Sequence, residues 1–236
     1  LLRSLVGSEM CIRDSNKGVF WSVGGAGVWW PKRRATDLNR SEAQIAEHRE
    51  VEAMRNIFNL SSGDGAPGLM MWCPFSSRLN SSTRCELGAA ILALLSPYAL
   101  NIGIDNATVV LKGNQIIQHL RDRVKKVWKT DEGTKILGGE ASPLHKGSPF
   151  KQIWALMKDG DLWELFARLV LRRGPWSVTI TKVKGHATDE MVSEGKVKLA
   201  EKKGNDRSDT AAALGVTESQ AKVHAFGAMY SARQLL

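Results

Sequence analysis

Three acids and one histidine in this chain are of types that can do chemistry, and one of them, Asp105, stands at the carboxyl end of a strand, where side chains face a shared crevice. Asp105 follows the apolar run 100–104, Asp209 comes four residues after Asn205 ahead of an alanine run, and Glu86 precedes the helically spaced Leu87, Ile91, Leu94 and Leu95. His186 lies in KGHA at 184–187, just after the β-branched stretch 178–183. Carboxylate oxygens suit hard divalent cations, and two such ions about 4 Å apart activate water and steady a leaving oxygen in phosphodiester hydrolysis. A loop imidazole beside them can carry protons. Each residue also has an ordinary structural use. A carboxylate in a helix's first turn is favoured by the dipole, an acid after a strand can cap the next helix, and Asp209 can be a solvated helix residue.

The elements needed to position these residues can be read around them. SSTRCELGAAILALL at 81–95 has the spacing of an amphipathic helix, capped from 81–83. Residues 100–104 and 178–183 read as buried strands, with helices predicted from about Asn106 and from Gly204 and Asn205. In the latter helix Asn205 and Asp209 share one face. DGDLWELFARLVLRR at 159–173 reads as a helix turning Leu162, Leu165, Phe166 and Leu169 inward. Gly24 and Gly25 predict a turn, leading into a strand over 26–30 that Pro31 stops, and GLMMWCP at 68–74 a further strand.

Taken in order, SSTRCELGAA, a strand ending in Asp105, KGHA and NDRSDTAAA at 205–213 resemble the motifs of the ribonuclease H family. The resemblance implies an α/β domain with a mixed five-stranded sheet flanked by helices. It further implies a metal-dependent endonuclease that hydrolyses the RNA strand of RNA–DNA hybrids, using two Mg²⁺ ions for which Mn²⁺ can substitute. Glu86, Asp105 and Asp209 are its implied metal ligands and, with His186, its catalytic set. Nucleic-acid contacts are implied for Ser82, Thr83 and Arg84, beside the 2′-hydroxyl, and for Lys125, Lys126 and Lys129 in a basic protrusion. Asn205 is the implied orienting residue, placed at the nucleic acid.

Two departures stand out. The family often has asparagines where Ser82, Thr83 and Arg84 stand, and the spacer from His186 to Asp209 is longer than in compact members. The family's first metal-binding Asp comes from a D-G-S segment at the end of the first strand. Here that position falls within residues 1–15, which resemble translated sequencing-adapter DNA. Asp14-Ser15 is the nearest match and lacks the glycine, although Ser8 to Arg13 can alternate as a strand. The expected organisation is therefore an artefactual 1–15, a ribonuclease H-like domain over 16–214 with a helical insertion near 36–60 and a basic region near 112–158, and an extension over 215–236. The missing first motif and the insertions point to a truncated retroelement fragment from a larger reverse-transcriptase polyprotein.

Composition agrees with a nucleic-acid partner. The 236 residues carry a net charge of +9, and 43% of them are hydrophobic, which excludes a disordered tail. Residues 112–158 hold ten Lys and Arg against four Asp and Glu, a clustering that suits phosphates. The most apolar run, 87–95, is about half a membrane span, so no membrane partner is expected. Cys11, Cys73 and Cys85 lack metal-ligand spacing, and an intracellular setting, cytoplasm or nucleus, follows. Two other functions remain open: a transposase or integrase of the same fold, and a relic that binds hybrid without cutting it.

Overall fold

The computed structural model describes residues 2–9, 22–31, 59–61, 68–77, 81–96, 99–128 and 148–234. Its strands are β1 (Leu2–Glu9), β2 (Ser22–Trp30), β3 (Asn59–Ser61), β4 (Leu69–Ser77), β5 (Leu100–Ile104) and β6 (Val178–Lys182). Its helices are α1 (Ser82–Leu94), α2 (Ala107–Trp128), α3 (Gly160–Arg173), α4 (Asp189–Ser193) and α5 (Leu199–Gln234).

The fold is mixed α/β, as expected, but its sheet has six strands instead of five, in the order β3-β4-β2-β1-β5-β6. The additional strand is the three-residue β3 on the outer edge of β4. Strands β3, β4, β2 and β1 pair antiparallel, and β5 and β6 continue from β1 in parallel. Of the expected insertion near 36–60 only residues 59 and 60, in β3, are described.

Residues 2–9, expected to lie outside the domain, are an interior strand. β1 pairs with β2 from Leu5↔Trp29 to Glu9↔Gly25 and with β5 from Leu2↔Leu100 to Leu5↔Gly103. The facing edges of β2 and β5 each present a row of backbone donors and acceptors that must be paired once buried, and one extended segment pairs with both. The described strand ends at Glu9, short of the expected span to Arg13, and Asp14 lies outside the described residues.

Helices α1, α2 and α3 cover one face through a core that includes Leu87, Leu94, Ile102, Ile104, Ile116, Leu120, Trp163 and Phe166. The inward stripe of α3 is Trp163, Phe166, Ala167 and Val170, with Leu162 and Leu169 partly buried and Leu165 exposed. The helical period is the expected one, but the phase differs because the bulky Trp163 takes the central core position.

On the other face α5 lies against β2, where Gly25 and Gly27 meet its backbone. A Cβ on Gly27 would overlap the Ser208 carbonyl and the Ala212 amide, and one on Gly25 would overlap the Ala212 carbonyl. Gly24 and Gly25 are strand residues of β2 and not a turn, and at Gly25, as at Gly27, the missing side chain makes room for a helix. The same helix begins at Leu199, before Gly204 and Asn205, and runs without interruption past residue 214, so 215–234 continue it.

Candidate active site

The sheet register brings the acid-bearing elements to one level. Gly27 pairs with Gly7 on β1, and the β1–β5 register, carried two residues past Leu5↔Gly103, sets Gly7 level with Asp105. Gly27 and Asp105 are thus two strand spacings apart, about 10 Å. Because the Ser208 carbonyl lies against Gly27, Asp209 enters at this level from the α5 face. Glu86 approaches from the opposite face: Asn106 donates from Nδ2 to Thr83 Oγ1 at 3.4 Å, tying the start of α1 to the end of β5. Glu86 stands one turn beyond Thr83 and is 3% exposed.

Asp105 does not cap α2. Asn106 does, its Oδ1 accepting from the amides of Thr108 at 3.0 Å and Val109 at 3.2 Å. The half-exposed Asp105 carboxylate instead lies against Gly185, where a Cβ would overlap it, so the KGH loop needs its glycine at this contact. Lys182 donates from its ammonium to the carbonyls of Asp105 and Val183, adding a cation that no sequence motif marks. His186 follows in the left-handed region at φ 49° with its side chain exposed. A non-glycine residue there costs on the order of 1 kcal/mol.

Asn205 is 1% exposed, and its Nδ2 donates to Asp209 Oδ2 at 2.9 Å. It holds one oxygen of the Asp209 carboxylate and is too deeply buried to offer the expected nucleic-acid contact. Arg84 also departs from expectation. Its guanidinium is bonded to Asp159 at 3.1 Å and to both Asp161 oxygens at 2.9 and 2.6 Å. A guanidinium shared between two carboxylates in this way secures α1 to the start of α3 and leaves little to read a 2′-hydroxyl. Thr83 is half-buried and bonded to Asn106, while Ser82 stays exposed.

Lys125 and Lys126 are exposed near the far end of α2. At 1.5 Å per residue they are about 27 Å along the helix from its start beside Asp105, so any phosphates they hold are remote from the acids. Lys129 lies outside the described residues. Within the long spacer Lys202 pairs with Asp206 and Asp189, and Lys196 with Glu194. Lys198 and Lys203 remain exposed.

In kind, the carboxylates suit Mg²⁺ or Mn²⁺. In placement they fall short: among the described residues no three His, Cys, Asp or Glu form a group able to hold a metal ion, so Glu86, Asp105 and Asp209 share a level of the sheet without being gathered around one ion. The strand β1 between them, LRSLVGSE, contributes no aspartate. Cys73 is no substitute donor, because burial pushes its thiol up to about 12 and keeps it protonated. Neither a scan against protein-family models nor a search of curated proteins finds a match to this chain.

Proposed function

We propose that this chain is a ribonuclease H-like domain of retroelement type that binds RNA–DNA hybrids and belongs to the class of metal-dependent endonucleases hydrolysing the RNA strand. The observation carrying this reading is the shared level of Asp105, Gly7, Gly27 and Ser208-Asp209, with Glu86 drawn in through Thr83 and Asn106. The hydrophobic packing of the core calls for none of these acids, and Glu86 is a carboxylate only 3% exposed. When bound, divalent cations would supply an activated water and charge stabilisation at the leaving oxygen. The chain's own contributions are the orientation of Asp209 by Asn205, the room for Asp105 made by Gly185, and an exposed histidine on the adjoining loop. Among the described residues no helix is long and apolar enough to cross a membrane.

The absence of an aspartate on β1 favours a second reading, a hybrid-binding module that cleaves poorly. Both readings meet at Val6-Gly7-Ser8, the one place on β1 that differs from D-G-S by a single residue. The decisive experiment compares Mg²⁺-dependent cleavage of a labelled RNA–DNA hybrid by the chain as it stands and by Val6→Asp, each with and without Glu86→Gln. Cleavage is expected to be weak in the first, to rise on the order of 100-fold in the second, and to vanish with Glu86→Gln, since a misplaced or missing group at a reacting centre costs about that factor. If Val6→Asp folds, binds hybrid and still does not cut, the binding-module reading stands. If the chain fails to bind hybrid at all, both fall.

A further inference from the structure

Among the described tryptophans Trp29 is partly buried, packed beside Met70 and Trp72, and Trp176 is the most exposed. Trp30, Trp72, Trp154 and Trp163 are at most 7% exposed, whereas Trp176 is 46% exposed. Trp176 occupies the short turn Pro175–Ser177 between α3 and β6, and the turn is held from below. Arg121 of α2 donates from Nε to the Pro175 carbonyl and from Nη2 to the Val178 carbonyl, both at 3.1 Å. Asn114, seven residues earlier on α2, donates to the Ile180 carbonyl at 3.2 Å. Asn114, Arg121 and Lys125 thus follow one line along α2 beside β6, and Lys125 is the next position past the turn. Lys125, Lys126 and Arg172 are exposed and in no ion pair among the described residues. The nearby carboxylate Asp122 accepts from Gln118 on its own helix at 3.0 Å.

An exposed indole on a rigid turn, flanked by free cations, is how a protein holds unpaired nucleotides: the ring stacks on a base face and the cations take the phosphates. Bases inside a duplex are already stacked on one another and offer no such face. The location fits a strand running out of a hybrid. β6 runs from this turn to the KGH loop, so Trp176 lies about 20 Å from the acid row at 3.3 Å per residue, or about six base pairs of duplex.

We propose that Trp176, with Lys125 and Arg172, forms a stacking site for unpaired nucleotides of a nucleic-acid strand that continues past the hybrid. The proposal rests on the hybrid-binding reading and deepens it by assigning the chain a second contact at the end of the sheet remote from the acids. The test measures binding of the whole chain, by fluorescence anisotropy, to a blunt RNA–DNA hybrid and to the same hybrid carrying a short single-stranded tail on one strand or the other. A tail on one strand tightens binding about tenfold or more, the range expected of base–aromatic stacking. Trp176→Ala removes that gain and leaves blunt-hybrid affinity and thermal stability near the parent's, while Trp176→Phe keeps most of the gain. Lys125→Ala lowers the salt slope of tailed-hybrid binding by about 0.7 to 0.9, the share of one phosphate that is no longer neutralised. A tail that adds nothing, or a gain that survives Trp176→Ala, overturns the proposal while blunt-hybrid binding keeps the hybrid reading. Trp176-dependent binding of tails without blunt-hybrid binding upholds this site and overturns that reading. Binding to neither overturns both.

Discussion

The two faces of the sheet are held by opposite means. Under α5 the closest contacts are backbone on backbone: Gly25 and Gly27 of β2 lie against Ser208, Ala211 and Ala212, and a Cβ on Gly215 would sit 3.4 Å from the Gly25 Cα, with the small cluster of Met70, Trp72 and Ala211 packed beside them. Under α1, α2 and α3 the contact is made by interlocking Leu, Ile, Val, Phe and Trp side chains. The first arrangement sets the height of α5, and so of Asp209, by leaving side chains out. The second sets the position of α1, and so of Glu86, by filling space and adding one polar clamp. Substitutions should therefore be felt differently on the two sides.

The largest expected effect is on the α5 face. Gly27→Val puts a branched side chain where even a Cβ would overlap the helix backbone and sit 2.9 Å from the Ala211 carbonyl carbon. Backbone cannot rotate aside as a side-chain tip can, so the cost should exceed about 3 kcal/mol, beyond the usual range for overpacking. A urea midpoint near the parent's would refute the claim that α5 is placed by contact. Next is Arg84→Met at the clamp. The Asp159 side chain is 6% exposed, and removing its cation leaves a buried charge, at a cost of about 3 kcal/mol. Stability measured by urea unfolding should drop accordingly, and with α1 released, hybrid cleavage by the Val6→Asp background should fall more than hybrid binding. Smaller again is Ile102→Val on the interlocked face, where neighbouring side chains can shift. It should cost about 0.5 to 1.5 kcal/mol, and a loss as large as that of Gly27→Val would erase the contrast between the faces.

That contrast also explains what the sequence discloses. Local patterns are legible: β5 spans residues 100–104 as the apolar run predicts, α1 starts after Ser81 as its cap predicts, and Asn205 and Asp209 pair across one turn. Whatever depends on a distant partner is not. Glycines in β2 read as a turn because a turn is their commonest local use, and only α5, nearly two hundred residues later in the chain, shows why a strand needs them. Arg84 reads as a nucleic-acid contact because its partners lie 75 and 77 positions away. The rule that glycine and asparagine flank helices puts the start of α5 at Gly204, whereas here both residues are buried inside one. Periodicity gives α3 its length but not its phase, which Trp163 decides.

The smallest effect concerns the outer half of the clamp, where Arg84 meets Asp161. The hydrogen bond from Arg84 is the main reason the Asp161 carboxyl is held below the ordinary aspartate range, with partial burial opposing it and the positive charge of Arg84 assisting. A carboxyl whose folded-state value is depressed adds stability that is fully present above its unfolded value, about pH 4, and is lost as pH falls through the lower folded value. The Asp161 side chain is 62% exposed, so solvent screens the pair and its share of stability is at most about 1 kcal/mol. Asp161→Asn should therefore change the melting temperature little at pH 7 and should shallow its decline as pH falls below about 4, relative to the parent. Asp159→Asn acts on the buried half of the same clamp and should lower stability at neutral pH by more. Parallel acid limbs in the parent and Asp161→Asn would mean that Asp159 alone holds Arg84, and that the bidentate contact is a surface pair with no role in fixing α1.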